Sequence, residues 1–320
     1  MRHRIVFAAL VLLAGCGSAN VETNRNASEI DSGTGSVALP GADLGAVVPV
    51  ASAQFLGESA RRTEEVSTGT LTFVMTIEGS AGFDGEVLRL EQQFDTQRNR
   101  ASYTLTPSQV FGELSGFGER QGIIVGDVVY LKSPTIAEEL GVRTAWLRYE
   151  DPCGASDVTA GLPFGGTDAA TVLEALGAVG EVTEVGTEDI DGRRAKHYRS
   201  EADLGATGDE DDACAEAPLS SLVAPVDVWI DENDGFVLRI EIRAGLADLV
   251  KASGEQVPRR AESLLRGTVV LALSFRDLGV PVTIREPIQS QVTEVTKADV
   301  ELAEAAIAER ANGFGGVGSP

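Results

Sequence analysis

The chain has 320 residues, of which 43% are hydrophobic and 23% are charged, and its formal net charge at pH 7 is −23. That length is sufficient for one sizeable hydrophobic core, and the composition is ordinary for a globular protein. Because so negative a surface repels phosphate backbones, nucleic acid is excluded as a partner.

The N-terminus has the pattern of a lipoprotein export signal. A short basic segment at residues 1–4 precedes an uncharged apolar run at 5–13. This run is too short to cross a bilayer, which takes about 20 apolar residues, and it is typical of a secretory signal peptide. Leu13-Ala14-Gly15-Cys16 follows directly and resembles the lipobox that bacterial lipoprotein signal peptidase cleaves. We therefore expect acylation of Cys16, with palmitate as a typical chain, and a protein anchored by that lipid on the extracytoplasmic face of the cell membrane. An ordinary signal peptide with an unmodified cysteine nearby is the alternative.

The other two of the three cysteines, Cys153 and Cys214, are an even pair in an oxidising compartment. This context favours a disulfide between them. In the chain-entropy model, closing a loop of this length stabilises the fold by about 4 kcal/mol. Two separate free thiols are the alternative.

Alternation of apolar and polar residues predicts a long series of β-strands. Segment 70–77, for example, places Leu71, Phe73 and Met75 on one face and three threonines on the other. Such alternation is typical of an antiparallel sheet with one apolar face. The other strand patterns lie at 87–94, 101–105, 122–131, 144–149, 181–186, 194–199, 226–231, 236–242 and 268–275. The pattern at 122–131 predicts a hairpin of two strands.

Helix patterns are fewer, and they define the organisation of the chain. They lie within 47–65, 168–176, 246–265 and 297–310, so the fold class is α+β.

We assign 1–15 to the signal peptide, 16–46 to the lipid anchor and a flexible tether, 47–296 to the folded domain, and 297–320 to a C-terminal helix and disordered tail.

Several segments resemble, in order and spacing, actinobacterial lipoproteins of the LppX/LprG type. The resemblance extends over about residues 66–287. The segments are VYLK at 129–132, WL at 146–147, VLEAL at 172–176, GEVTEVGTE at 180–188, DG at 191–192, HYR at 197–199, VDVWID at 226–231, GFVLR at 235–239 and FRDLGVPV at 275–282. The acidic run 209–212 and the segment 246–266 depart from the family pattern.

The resemblance implies a fold similar to the carriers LolA and LolB. That fold is one strongly curved antiparallel half-barrel, here of about ten or eleven strands, with a few helices on its concave side. Such proteins keep an apolar cavity for acyl chains between sheet and helices. The resemblance thus implies a membrane-anchored protein that binds an acylated lipid or glycolipid and carries or presents it.

The apolar strand faces are the predicted lipid-binding surface. A sheet of this size has few helices to cover it, so either its strands close or a hollow remains for a ligand. An ordinary packed core is the alternative for individual side chains. The residues expected to face the hollow are Leu71, Phe73, Met75, Ile77, Leu88, Leu90, Val269, Leu271 and Leu273.

The sequence predicts no enzyme, no metal site and no cofactor. His197 is the only histidine after Cys16 and lies in mid-strand without a Gly-x-Ser-x-Gly sequence, which argues against a serine hydrolase. One histidine and two distant cysteines do not make a zinc site, and the acidic stretches 209–212 and 231–234 lack calcium-loop spacing. A second hypothesis is a ligand-sensing or regulatory lipoprotein that acts through an envelope protein partner.

Overall fold

The computed structural model describes residues 51–80, 84–116, 118–151, 182–203, 222–252 and 266–313. Cys16, Cys153 and Cys214 lie outside these ranges, as do the predicted helix at 168–176 and the acidic run at 209–212. Acylation and the disulfide therefore stay predictions.

Twelve strands within the described ranges form one sheet. Its order is β12-β6-β5-β4-β3-β2-β1-β11-β10-β9-β8-β7. Neighbouring strands are antiparallel, except that β12 runs parallel to β6. The strands are β1 (Thr68–Glu78), β2 (Gly85–Asp95), β3 (Arg100–Pro107), β4 (Arg120–Val125), β5 (Val128–Lys132), β6 (Trp146–Glu150), β7 (Thr183–Ile190), β8 (Arg193–Asp203), β9 (Val223–Asp231), β10 (Val237–Gly245), β11 (Thr268–Arg276) and β12 (Val292–Glu294).

The described residues also form five α-helices: α1 (Ala51–Glu64), α2 (Gln109–Ser115), α3 (Pro134–Glu139), α4 (Leu246–Ala252) and α5 (Lys297–Gly313). None of them is long and apolar enough to cross a membrane. The helices predicted within 47–65 and 297–310 are confirmed. For 246–265, where two short helices or a helix and a loop were expected, α4 confirms the first helix, and residues 253–265 lie outside the described ranges.

Helices α2 and α3 were not predicted, although each has a clear start signal. The hydroxyl oxygens of Ser108 and Ser133 accept hydrogen bonds from the backbone N–H groups three residues later, and Pro134 follows Ser133 as the first residue of α3. These are the usual N-caps of helices. The two helices have only seven and six residues, too few for an apolar period to be recognised.

The sheet is mixed, mostly antiparallel and not strongly curled, which corrects the expected strongly curved antiparallel half-barrel. The eleven predicted strands are present, and the twelfth, β12, has only three residues. Helices α1, α2 and α4 contribute side chains to one buried cluster and helices α3 and α5 to a second, whereas a third, small cluster contains strand residues alone. Among the described residues, the buried side chains of the helix-covered face are thus divided among separate local cores.

Strand register determines which residues share the helix-covered face, here called the inner face; the opposite one is the outer face. Phe73 of β1 pairs with Leu90 of β2 and Leu273 of β11. These three residues belong to the largest apolar cluster, the main cluster, together with Leu56 and Ala60 of α1. A second cluster at the β6 end unites strands β5 and β6 with helices α3 and α5 through Leu131, Leu147, Ile136, Val300, Ala303 and Ile307.

Candidate functional site

The residues predicted to face a hollow come together on the inner face. All of them are at most 9% exposed and belong to the main cluster. They form rows across neighbouring strands, because residues paired in register lie on the same face. The rows are Ile77–Val269, Leu88–Met75–Leu271 and Leu90–Phe73–Leu273, with Leu71 beyond them.

Side chains of the helices cover this surface. The main cluster includes Leu56 of α1, Phe111 of α2, and Leu246 and Leu249 of α4, and each of these is at most 4% exposed. In this structure the predicted lipid-facing side chains therefore contact the protein itself. An acyl chain that binds among them must displace part of this covering.

A pocket of about 460 Å³ opens where β9 begins, β10 ends and α4 starts. Leu222, Val223, Ala244, Lys251 and Ala252 are among the residues that line it. None of the predicted lipid-facing residues lines this pocket, so sequence reasoning missed it. The departure of 246–266 from the family pattern was the one signal that pointed to this region, since α4 begins at residue 246.

The buried apolar part of the pocket lining, here called the pocket floor, belongs to the main cluster. Leu222, Ala244 and Ala252 belong to that cluster and are at most 7% exposed. Ala244 of β10 pairs with Val269 of β11, which in turn pairs with Ile77 of β1. A molecule at the pocket floor is thus one strand away from Val269 and two strands away from Ile77, both of which are predicted lipid-facing residues.

The mouth of the pocket carries charges of both signs. The Lys251 side chain is 71% exposed, and its Nζ lies 3.5 Å from the Asp248 carboxylate. The Arg243 guanidinium contacts Glu241 at 2.6 Å and Glu78 at 3.1 Å. Burial alone would lower the pKa of Arg243, but the hydrogen bond and charge of Glu241, aided by Glu78, raise it. The pocket is thus lined by both apolar and charged side chains, which suits a ligand with one apolar and one polar end.

On the outer face, His197 lies between two carboxylates. Its Nδ1 is 2.9 Å from Oε1 of Glu188, and its Nε2 is 2.6 Å from Oδ1 of Asp227. The imidazole also stacks on the Trp229 ring, with 4.4 Å between centroids. Because carboxylates occupy both ring nitrogens, neither nitrogen is available to activate a nucleophile. This geometry fits a structural role for His197.

No group of three or more His, Cys, Asp and Glu side chains in the described part of the chain could hold a metal ion. The ion pairs of the outer face instead join neighbouring strands and turns. Arg199 of β8 contacts Asp227 of β9 at 2.8 Å, and Arg193 contacts both Asp231 and Asp234.

Asp231 is a buried carboxylate of the outer face, and its side chain is only 1% exposed. It accepts hydrogen bonds from the backbone N–H groups of Asn233 and Asp234, at 2.7 and 2.8 Å, and from Nε of Arg193 at 2.8 Å. Burial alone would raise the pKa of Asp231, but these bonds and the arginine charge together lower it below the ordinary value of 3.8. The ionised form therefore stabilises the fold.

Asp231→Asn should lower the free energy of unfolding by about 2 kcal/mol at pH 7, since it removes a buried charge-assisted contact. A lowered pKa stabilises the folded state above the unfolded-state pKa, and this contribution is lost as pH falls through the folded-state value. The difference between wild type and variant should therefore shrink between about pH 5 and pH 2. Urea denaturation at a series of pH values measures it.

Asp234→Asn is the matched control for this variant. Asp234 is an exposed carboxylate that contacts the same arginine, Arg193. Its replacement should change the free energy of unfolding by less than about 1 kcal/mol at every pH of the series. A difference between wild type and Asp231→Asn that is constant across the pH range would contradict the role given to the Asp231 charge.

No protein-family model and no curated protein matches the sequence. Among solved structures, LprF from Mycobacterium bovis is 16% identical with a TM-score of 0.40, covering 74% of this chain and 97% of that one. Mycobacterium tuberculosis LppX is 13% identical with a TM-score of 0.39, covering 72% and 98%. A LolA superfamily protein from Nitrosomonas europaea is 8% identical with a TM-score of 0.26, covering 74% and 94%. The predicted resemblance is thus confirmed as structural similarity to LppX and LolA-superfamily lipoproteins, at low sequence identity.

Proposed function

We propose that this protein is a membrane-anchored extracytoplasmic lipoprotein that binds an acylated lipid or glycolipid and carries or presents it. The acyl chain enters at the pocket beside α4 and lies against the inner face of the sheet. The observation that carries this proposal is the continuity between the pocket floor and the main cluster, through the row Ala244–Val269–Ile77.

The size and chemistry of the pocket support an amphiphilic ligand. Its volume of about 460 Å³ lies within the usual range of roughly 300–1,000 Å³ for small-molecule sites. The apolar floor accepts part of an acyl chain, and the charged side chains of Arg243, Asp248 and Lys251 remain at the mouth for a polar head group.

The energetics of acyl burial suit reversible exchange with a membrane. A chain of about sixteen carbons gains on the order of 12 kcal/mol when moved from water to an apolar site, at about 0.8 kcal/mol per methylene. A bilayer offers a similar gain, so transfer between membrane and protein is near thermoneutral. Attachment through Cys16 keeps the domain beside the membrane from which such a lipid is taken.

Blocking the pocket mouth tests this proposal. Val223 lines the pocket and is 62% exposed, so Val223→Trp should narrow the mouth without disturbing the core. We expect the affinity for a fluorescent fatty-acid probe to fall at least about fivefold, because a loss of about 1 kcal/mol of binding free energy corresponds to that factor. Fluorescence titration of the full chain measures the uptake.

Val185→Trp is the matched control, since Val185 is an exposed valine of β7 that does not line this pocket. It should leave uptake unchanged. A wild-type protein that carries no lipid on purification and takes up no probe would overturn the proposed function. Recovery of that lipid-free protein in a stable complex with another envelope protein would favour the ligand-sensing alternative.

A further inference from the structure

Gln92 of β2 is a polar side chain on an otherwise largely apolar part of the inner face. In register it pairs with Leu71 of β1 and Tyr103 of β3. The same row continues to Gly122 of β4, where a Cβ atom would lie only 2.0 Å from the Tyr103 ring. The tyrosine ring therefore packs directly against glycine backbone beside Gln92.

The side-chain carbonyl oxygen of Gln92 is buried and accepts no hydrogen bond from the residues that the structure describes. Buried polar groups in proteins are nearly always hydrogen-bonded, and an acceptor without a donor destabilises the fold. A glutamine that keeps such an oxygen under the helix-covered face therefore points to a donor that the described residues do not supply.

The residues around Gln92 indicate which kind of molecule carries the missing hydrogen-bond donor. On one side lies the main cluster, with Leu71 and Leu90. Tyr103 packs against both the main cluster and a smaller cluster of Ala101, Ile124 and Val129. A molecule complementary to this place has apolar arms and a hydrogen-bond donor between them.

We propose that Gln92 determines specificity for acylated ligands that carry a free hydroxyl group, such as the glycerol or sugar hydroxyl of a lipid. Oε1 of Gln92 accepts the hydroxyl hydrogen bond, while the acyl chains lie against the apolar clusters on either side. This inference rests on the proposed function and adds to it a ligand class and the residue that selects it.

The test compares two lipids that differ only in the donor. The full chain in non-ionic detergent is mixed with equal amounts of 1,2-dioleoylglycerol and its 3-O-methyl ether, and native mass spectrometry gives the ratio of the two complexes. The wild type should prefer the free hydroxyl by about fivefold, the ordinary net effect of one hydrogen bond. Gln92→Leu should bind both lipids equally, with unchanged or higher thermal stability because the unsatisfied oxygen is gone.

Gln93→Leu is the control, since Gln93 is the exposed neighbour on the outer face, and this variant should keep the preference. Gln92→Met replaces Gln92→Leu if the branched side chain does not fit. Equal binding of both lipids by the wild type would overturn the inference, and this is the result expected if a water molecule donates the hydrogen bond to Gln92. A preference that persists in Gln92→Leu would overturn it as well. Neither result would contradict lipid binding itself. A wild type that binds neither lipid defeats the proposed function, and the inference falls with it.

Discussion

Cys16→Ser should move the protein quantitatively from the membrane fraction to the soluble extracytoplasmic fraction or the medium. The hydroxyl of serine does not accept the lipid that the lipobox directs to the cysteine sulfur. Lasting anchorage needs more than one acyl chain, each contributing about 0.8 kcal/mol per buried methylene, so removal of the acylation site removes nearly all membrane affinity. None of the described helices is long and apolar enough to cross a membrane. Fractionation followed by immunoblotting measures the distribution.

Cys153→Ser provides the matched control, because it also exchanges one cysteine for serine but lies far from the lipobox. It should remain in the membrane fraction. Mass spectrometry of the N-terminal peptide adds an independent measurement: the wild type should begin at Cys16 and carry acyl chains. An unmodified Cys16 in a membrane-bound wild-type protein would refute the lipobox assignment.

Phe73→Ala should lower the free energy of unfolding by about 4 kcal/mol, within the range for a buried aromatic residue replaced by alanine. Phe73 is 1% exposed and belongs to the main cluster. Its register partners Leu90 and Leu273 lie on the two neighbouring strands, and strands held in a hydrogen-bonded sheet can close only part of the space that is left. Urea denaturation, followed by tryptophan fluorescence, measures the loss.

Val74→Ala is the control for this variant, because Val74 is the next residue of β1, partly exposed on the outer face. It should cost less than about 1 kcal/mol. A loss below about 1 kcal/mol for Phe73→Ala itself would mean that this part of the cluster is not a packed core. An added acylated ligand that occupies the new space should restore part of the stability, because a ligand that binds only the folded state stabilises it.

The two proposals assign different functions to two parts of the inner face. The row from Ala244 to Ile77 connects the pocket to the apolar face, and Gln92 lies toward the other end of β1 and β2, opposite Leu71. Entry of the acyl chain and selection of the ligand are thereby assigned to different residues. Val223→Trp and Gln92→Leu test them independently.

The sequence by itself determined which residues form most strands and which of their side chains share a face. Alternation is a local property: successive Cβ atoms of a strand point to opposite sides, so Leu71, Phe73, Met75 and Ile77 lie together in any sheet that contains β1. The lipobox prediction is equally local, because it depends only on the position of the cysteine and on its neighbouring residues. These predictions needed no knowledge of the partners of each strand.

Only the tertiary structure decided the features that depend on distant contacts. Strand β12 exists as three residues that pair in parallel with β6, and no local pattern specifies such a pairing. The weak curl of the sheet and the separate clusters on its inner face also involve residues far apart in the sequence. The pocket beside α4 and the buried oxygen of Gln92 likewise arise where separate elements meet, because enclosed space and burial are properties of packing and not of one segment.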